Sequence, residues 1–186
     1  MISKTKFFYR IVAKCLALCL CFVGTLSQAQ TGTTEGREFY VGFLVNGAVD
    51  NPNNNSIIIS SKVATQGRAE IIGTNYSLSF NVAANSIEAL DIPQEFEPTG
   101  TSENERIAIR IRTNDPVSVY AYNEDVATSD GTMVLPVNSL GENYLIHAYN
   151  NDEFLPGVTQ NEVVLVATLD STIYEMTPVV DLVNTD

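Results

Sequence analysis

The sequence predicts an all-β fold, an antiparallel β-sandwich-like domain, and three observations carry that reading. Apolar side chains alternate with polar ones at a period of two in most segments beyond residue 36. Clusters of Asn, Asp, Gly and Pro interrupt those segments at spacings of roughly ten residues, as turns between short strands do. Beyond the N-terminal segment, no window of about eleven residues keeps a helical period, which argues against alternating strands and helices.

Residues 1–29 read as a secretory signal. Lys4, Lys6, Arg10 and Lys14 precede an apolar run over residues 15–23, and Ser27 and Ala29 place small residues where a signal peptidase reads, so cleavage is expected between Ala29 and Gln30. The run is about half the ~20 residues a membrane helix needs, so no membrane span is expected after cleavage. Lys14 before Cys15 and Leu20 before Cys21 do not suit lipidation. Cleavage removes all three cysteines, excluding disulfides, thiolate zinc sites and cysteine nucleophiles. It also removes four of the ten basic residues and none of the 22 acidic ones, taking the net charge from −12 to −16. Nucleic acid and anionic membranes are poor partners for that balance.

Residues 30–36 form a polar leader, and residues 37–186 are assigned to one β domain. Phe39, Val41, Phe43 and Val45 share one face of the first strand, over residues 38–45. Strands follow at 56–61, 68–72 and 77–82, the last with Leu78, Phe80 and Val82 on one face, and then at 86–92. In residues 106–112, Ile107, Ile109 and Ile111 oppose Arg106, Arg110 and Arg112. Asn114-Asp115-Pro116 is expected to turn the chain into a separate strand at 117–122, where Val117, Val119 and Ala121 oppose Ser118, Tyr120 and Tyr122. Ser129-Asp130-Gly131 is expected to be a second such turn, before strands at 132–135, 143–149 and 162–169. The chain stops in or just after a strand-like run, so the sandwich is expected to be incomplete at its C-terminal end.

Few residues carry chemistry. Arg106, Arg110 and Arg112 form the basic cluster, able to receive a carboxylate or phosphate or to pair with the protein's own acids. Tyr120 and Tyr122, with Tyr144 and Tyr149 downstream, offer an aromatic face for a partner or a carbohydrate. Loops around Asp50, Asp125, Asp130 and Asp152 are rich in oxygen donors of the kind calcium uses, without the spacing of an EF-hand. No other cofactor is indicated. His147 is the sole histidine, and no Gly-x-Ser-x-Gly motif accompanies it, so it reads as a strand residue. Paired carboxylates for glycoside hydrolysis need a facing geometry that sequence does not display.

Three stretches together resemble a known family. They are Gly36-Arg37-Glu38-Phe39-Tyr40-Val41-Gly42-Phe43, then Asn114-Asp115-Pro116-Val117-Ser118-Val119-Tyr120-Ala121-Tyr122-Asn123, then Asp130-Gly131-Thr132-Met133-Val134-Leu135-Pro136 followed by Leu140-Gly141-Glu142-Asn143-Tyr144. Their order and spacing are similar to the N-terminal domain of IgGFc-binding proteins, including large secreted bacterial surface proteins. The resemblance covers residues 36–186 and implies an extracellular all-β module that binds or adheres, without supplying catalytic residues. The family domain is longer, which favours a fragment here. The expected function is a secreted or cell-surface, non-catalytic binding module of a larger adhesin-like protein, with an extracellular glycoprotein or polysaccharide as partner. A carbohydrate hydrolase using two carboxylates and a calcium-stabilised spacer are the alternatives.

Overall fold

The computed structural model describes residues 32–44, 54–96, 108–124, 129–147 and 163–177. Seven strands run in the order β1 (Gly36–Val41), β2 (Asn54–Ser61), β3 (Thr65–Ile71), β4 (Ser77–Val82), β5 (Ser86–Ile92), β6 (Ile109–Glu124) and β7 (Ser129–Val134), with short 3-10 turns at Gln94–Phe96 and Val137–Ser139. All pairings are antiparallel, and the sheet order is β4-β3-β6-β2-β5 with β1 and β7 also paired to β6. The fold is all-β, as the alternation predicts.

Strand β6 organises the sheet. Its first half lies between β1 and β3, from Ile109 to Thr113, and its second half lies between β2 and β7, from Ser118 to Glu124. The chain neighbours of those partners bend at the same level: residues 62–64 join β2 to β3, and residues 83–85 join β4 to β5. Asn85 takes a positive φ of 56° at the second bend, which Asn tolerates better than most residues. On the other flank a bulge between Gly36 and Glu38 and an isolated bridge from Phe39 to Pro136 bring β1 against the chain leaving β7. The sheet therefore folds across its middle in a nearly barrel-like way and encloses one core.

The inward positions fill that core: Phe39 and Val41 of β1, Ile57 and Ile59 of β2, Ala69 and Ile71 of β3, Phe80 and Val82 of β4, Leu90 and Ile92 of β5, Val134 of β7, and five apolar residues of β6. Each fully buried Val, Ile or Phe contributes about 1.5–3 kcal/mol. Phe43 packs against the cluster from beyond β1, and Val45 lies outside the described residues.

Three local expectations are corrected. Asn114-Asp115-Pro116 does not turn the chain; β6 runs through it, keeping Thr113 and Val117 inward. Proline and its predecessor both suit extended backbone, and Pro116 falls between the β3 and β2 ladders, where its missing N–H breaks no pairing. Buried hydroxyls serve the backbone there: the Asp115 amide donates to Thr65 Oγ1 at 3.1 Å, and Thr113 Oγ1 donates to the Asp115 carbonyl at 2.8 Å. Ser129-Asp130-Gly131 likewise lies inside β7, because pairing with residues 122–124 overrides its turn propensity.

The third correction concerns the C-terminal segments. Residues 143–147 and 163–169 form no strand, and Leu145 is 96% exposed. Their β-branched and aromatic residues favour a pleated surface only where a neighbouring strand supplies one. Val164 and Val166 instead lie over Gly42, where a Cβ would meet their methyl groups at 3.1 and 3.2 Å. Among the described residues no helix is long and apolar enough to cross a membrane.

Candidate functional site

Because side chains alternate along β6, the residues opposite its core face point to solvent: Arg110 and Arg112 in its first half, Tyr120 and Tyr122 in its second. Register then decides what surrounds each.

Around Tyr120 the outward row is apolar, while the rows on either side of it carry Ser56 with Asp91 and Ser60 with Ser118. Tyr120 faces Ile58 on β2 and Met133 on β7, and Ile58 faces Ala89 on β5, so Ala89, Ile58, Tyr120 and Met133 form one row across four strands. Tyr120, Met133 and Ile87 are 37%, 42% and 65% exposed, and Leu135 beyond β7 is also exposed. Tyr122 begins the next row, between Ser56 and Gly131, where the glycine leaves room for its ring: a Cβ there would lie 3.3 Å from Tyr122 Cδ2. A solvent face of an antiparallel sheet ordinarily carries polar residues, and this row departs from that pattern. Tyr144 does not join it; its hydroxyl accepts a hydrogen bond from the Gly141 amide at 3.0 Å, and it lies on no strand. Tyr149 is outside the described residues.

The arginines converge on a carboxylate that sequence reading did not single out. Glu70, outward on β3, sits opposite Arg110. Arg110 donates from Nη2 and Nε to its Oε2 at 2.6 and 3.2 Å, Arg112 donates from Nη2 to both oxygens at 3.2 and 3.3 Å, and Arg68 Nε lies 3.2 Å from Oε1. Arg68 also donates to Ser77 Oγ at 2.8 Å, and the Tyr40 hydroxyl donates to Glu38 Oε1 at 3.3 Å. Arg106 lies outside the described residues. The hydrogen bond from Arg110, aided by the charges of Arg112, Arg110 and Arg68, holds the Glu70 carboxyl below its usual range despite partial burial. Hydrogen bonding to Glu70, and then to Tyr40, raises Arg110. Arg68 and Glu70 occupy alternate positions of one strand, but their meeting with Arg110 and Arg112, some forty residues away, depends on register.

A carboxylate whose folded-state pKa is lowered stabilises the fold above its unfolded pKa, and that contribution is lost as pH falls through the folded value. Glu70→Gln is therefore expected to cost about 1 kcal/mol at neutral pH, the scale of a partly exposed charge-assisted network. The difference from wild type should shrink below pH ~4. Urea denaturation at pH 7 and pH 3 measures it, and a difference unchanged by pH would contradict the assignment.

Of the calcium candidates, Asp50, Asp125 and Asp152 lie outside the described residues. Asp130 is exposed on β7, and its Oδ1 accepts the Gly131 amide at 2.7 Å, a local turn-type contact. Among the described residues no group of three or more metal-ligating side chains converges. His147 is exposed and belongs to no strand.

The three stretches that carry the family resemblance are brought side by side, since β1 and β7 both pair with β6 and Phe39 bridges to Pro136. Gly36 is buried there, and a Cβ on it would fall 2.2 Å from Pro136 Cβ. At Gly141, by contrast, a Cβ would meet only the Asn143 carbonyl, at 4.0 Å. No protein-family model matches the chain, and no curated protein matches it. Among solved structures, the crystal structure of Thermotoga maritima 1070 is similar over 57% of this chain and 98% of its own, with 16% identity and a TM-score of 0.37, below the level at which a shared fold follows.

Proposed function

We propose that this chain is a secreted or cell-surface, non-catalytic binding module of a larger adhesin-like protein, and that it meets its partner through the outward face of β2, β5, β6 and β7. The observation that carries the reading is the Ala89–Ile58–Tyr120–Met133 row on the solvent side of the sheet. Tyrosine offers a rigid apolar ring with a hydrogen-bonding tip, a combination suited to sugar rings and to protein partners. The export signature of residues 1–29 and the resemblance to the N-terminal domain of IgGFc-binding proteins support an extracellular, adhesive setting. A single module of this kind is expected to bind weakly alone and to gain by repetition or tethering.

The test is an array of glycans and glycoproteins probed with the folded chain, free and on a multivalent bead. Selective binding that strengthens on the bead is expected; a clean negative in both formats would remove the proposal.

A further inference from the structure

The arginine cluster has donors beyond what Glu70 uses. Arg68, Arg110 and Arg112 are three of the five basic residues described, the others being Arg37 and Lys62, in a chain of net charge −12. Each guanidinium carries about five N–H donors, while a carboxylate offers about four acceptor positions. Arg110 spends its fork on Glu70, but Arg68 and Arg112 remain 55% and 51% exposed along their side chains. Register places them opposite one another on β3 and β6, with Glu38 on β1 and Ser79 on β4 completing the row; Tyr40, Glu70 and Ser77 flank them in the next. Three positive charges and two negative ones, Glu70 and Glu38, leave this face net positive. Glu70 holds Nε of Arg68 and Nη2 of Arg112, and Ser77 accepts from Nη2 of Arg68, so less side-chain freedom is lost when an anion meets the remaining donors.

We infer that Arg68 and Arg112 form an anion subsite for the carboxylate or sulfate groups of an acidic polysaccharide. The inference rests on the proposed binding role for its polymeric partner. Both arginines and the tyrosine face lie on the outward side of the sheet that β6 runs through, and Arg112 and Tyr120 are eight residues apart, about 25 Å along an extended strand. A polymer can reach from one to the other; a free small anion cannot. The acidic remainder of the protein repels polyanions, but at physiological salt that repulsion is screened beyond about 8 Å, so the groups in contact decide. Paired guanidinium forks suit planar carboxylates and sulfate esters better than they suit hydroxyls.

The test compares binding of the chain to polygalacturonate and to its methyl ester, which keeps the sugar and removes the charge, and to dextran sulfate and dextran. At least tenfold tighter binding of one charged polymer than of its neutral counterpart is expected, falling about tenfold in the Arg68→Gln/Arg112→Gln double variant. Because that variant disturbs the Glu70 network, Ser79→Glu serves as a second probe: it sets a competing carboxylate beside Arg68 and is expected to weaken the charged polymer alone. Equal binding of charged and neutral polymers, or charge-dependent binding that ignores both variants, would overturn the subsite. Poly-glutamate binding as tightly, with the same arginine dependence, would overturn the polysaccharide assignment. Arginine-dependent binding that survives Tyr120→Ala supports the subsite even where the tyrosine face proves irrelevant.

Discussion

Phe39→Ala is expected to cost about 3–5 kcal/mol, the range for deleting a buried phenylalanine ring. Phe39 has no solvent exposure, pairs with Ile111, itself fully buried, and forms the bridge to Pro136 that joins β1 to the chain beyond β7. Its ring thus packs where the folded sheet approaches closure. Against a typical total stability of about 5–15 kcal/mol the loss is large, and it corresponds to a fall in Tm of roughly 6–20 °C. Urea denaturation followed by far-ultraviolet circular dichroism gives the value. Phe43→Ala, at a partly buried site beside the core, should cost distinctly less. A loss below about 1 kcal/mol for Phe39→Ala would mean that the core does not close where the structure places it.

Gly67→Ala is expected to destabilise by about 2–4 kcal/mol, against the ordinary expectation that replacing a strand glycine with alanine gains about 0.5–1 kcal/mol. Gly67 on β3 lies opposite Phe80 on β4, whose buried ring covers it: a Cβ would fall 2.3 Å from Phe80 Cζ and 2.7 Å from the Arg112 carbonyl oxygen. The ring could shift only by leaving the core, and the carbonyl only by disturbing the β3–β6 ladder. An aromatic residue laid over a cross-strand glycine is a recognised way of fixing register in sheets. Combining the variant with Phe80→Leu should recover part of the loss. A neutral or stabilising Gly67→Ala would contradict the β3–β4 register.

Both effects depend on pairings that no single segment encodes. Alternation identified the strands, with β4 and β5 bounded as expected, and it sorted the faces of β6: Ile109, Ile111, Val117 and Val119 inward, Arg110, Arg112, Tyr120 and Tyr122 outward. Register was not legible, so Glu70 and Arg68 could not be joined to Arg110, nor Ile58 and Met133 to Tyr120. Turn residues misled wherever a ladder was available, as at Asp115-Pro116 and Asp130-Gly131, because their local preference is compatible with extended backbone once partners are present. The opposite error arose at residues 143–147 and 163–169, where strand-forming residues have no ladder to join.

The central claim is that the outward apolar row through Tyr120 of β6 is the binding surface. Its most direct test is the affinity of Tyr120→Ala for the ligand that binds the wild-type chain most tightly on the array, measured beside a melting curve for each protein. At least a tenfold loss of affinity, about 1.4 kcal/mol, with the variant still folded is the expected result. Undiminished binding by folded Tyr120→Ala would contradict the claim and move the binding surface elsewhere on the molecule.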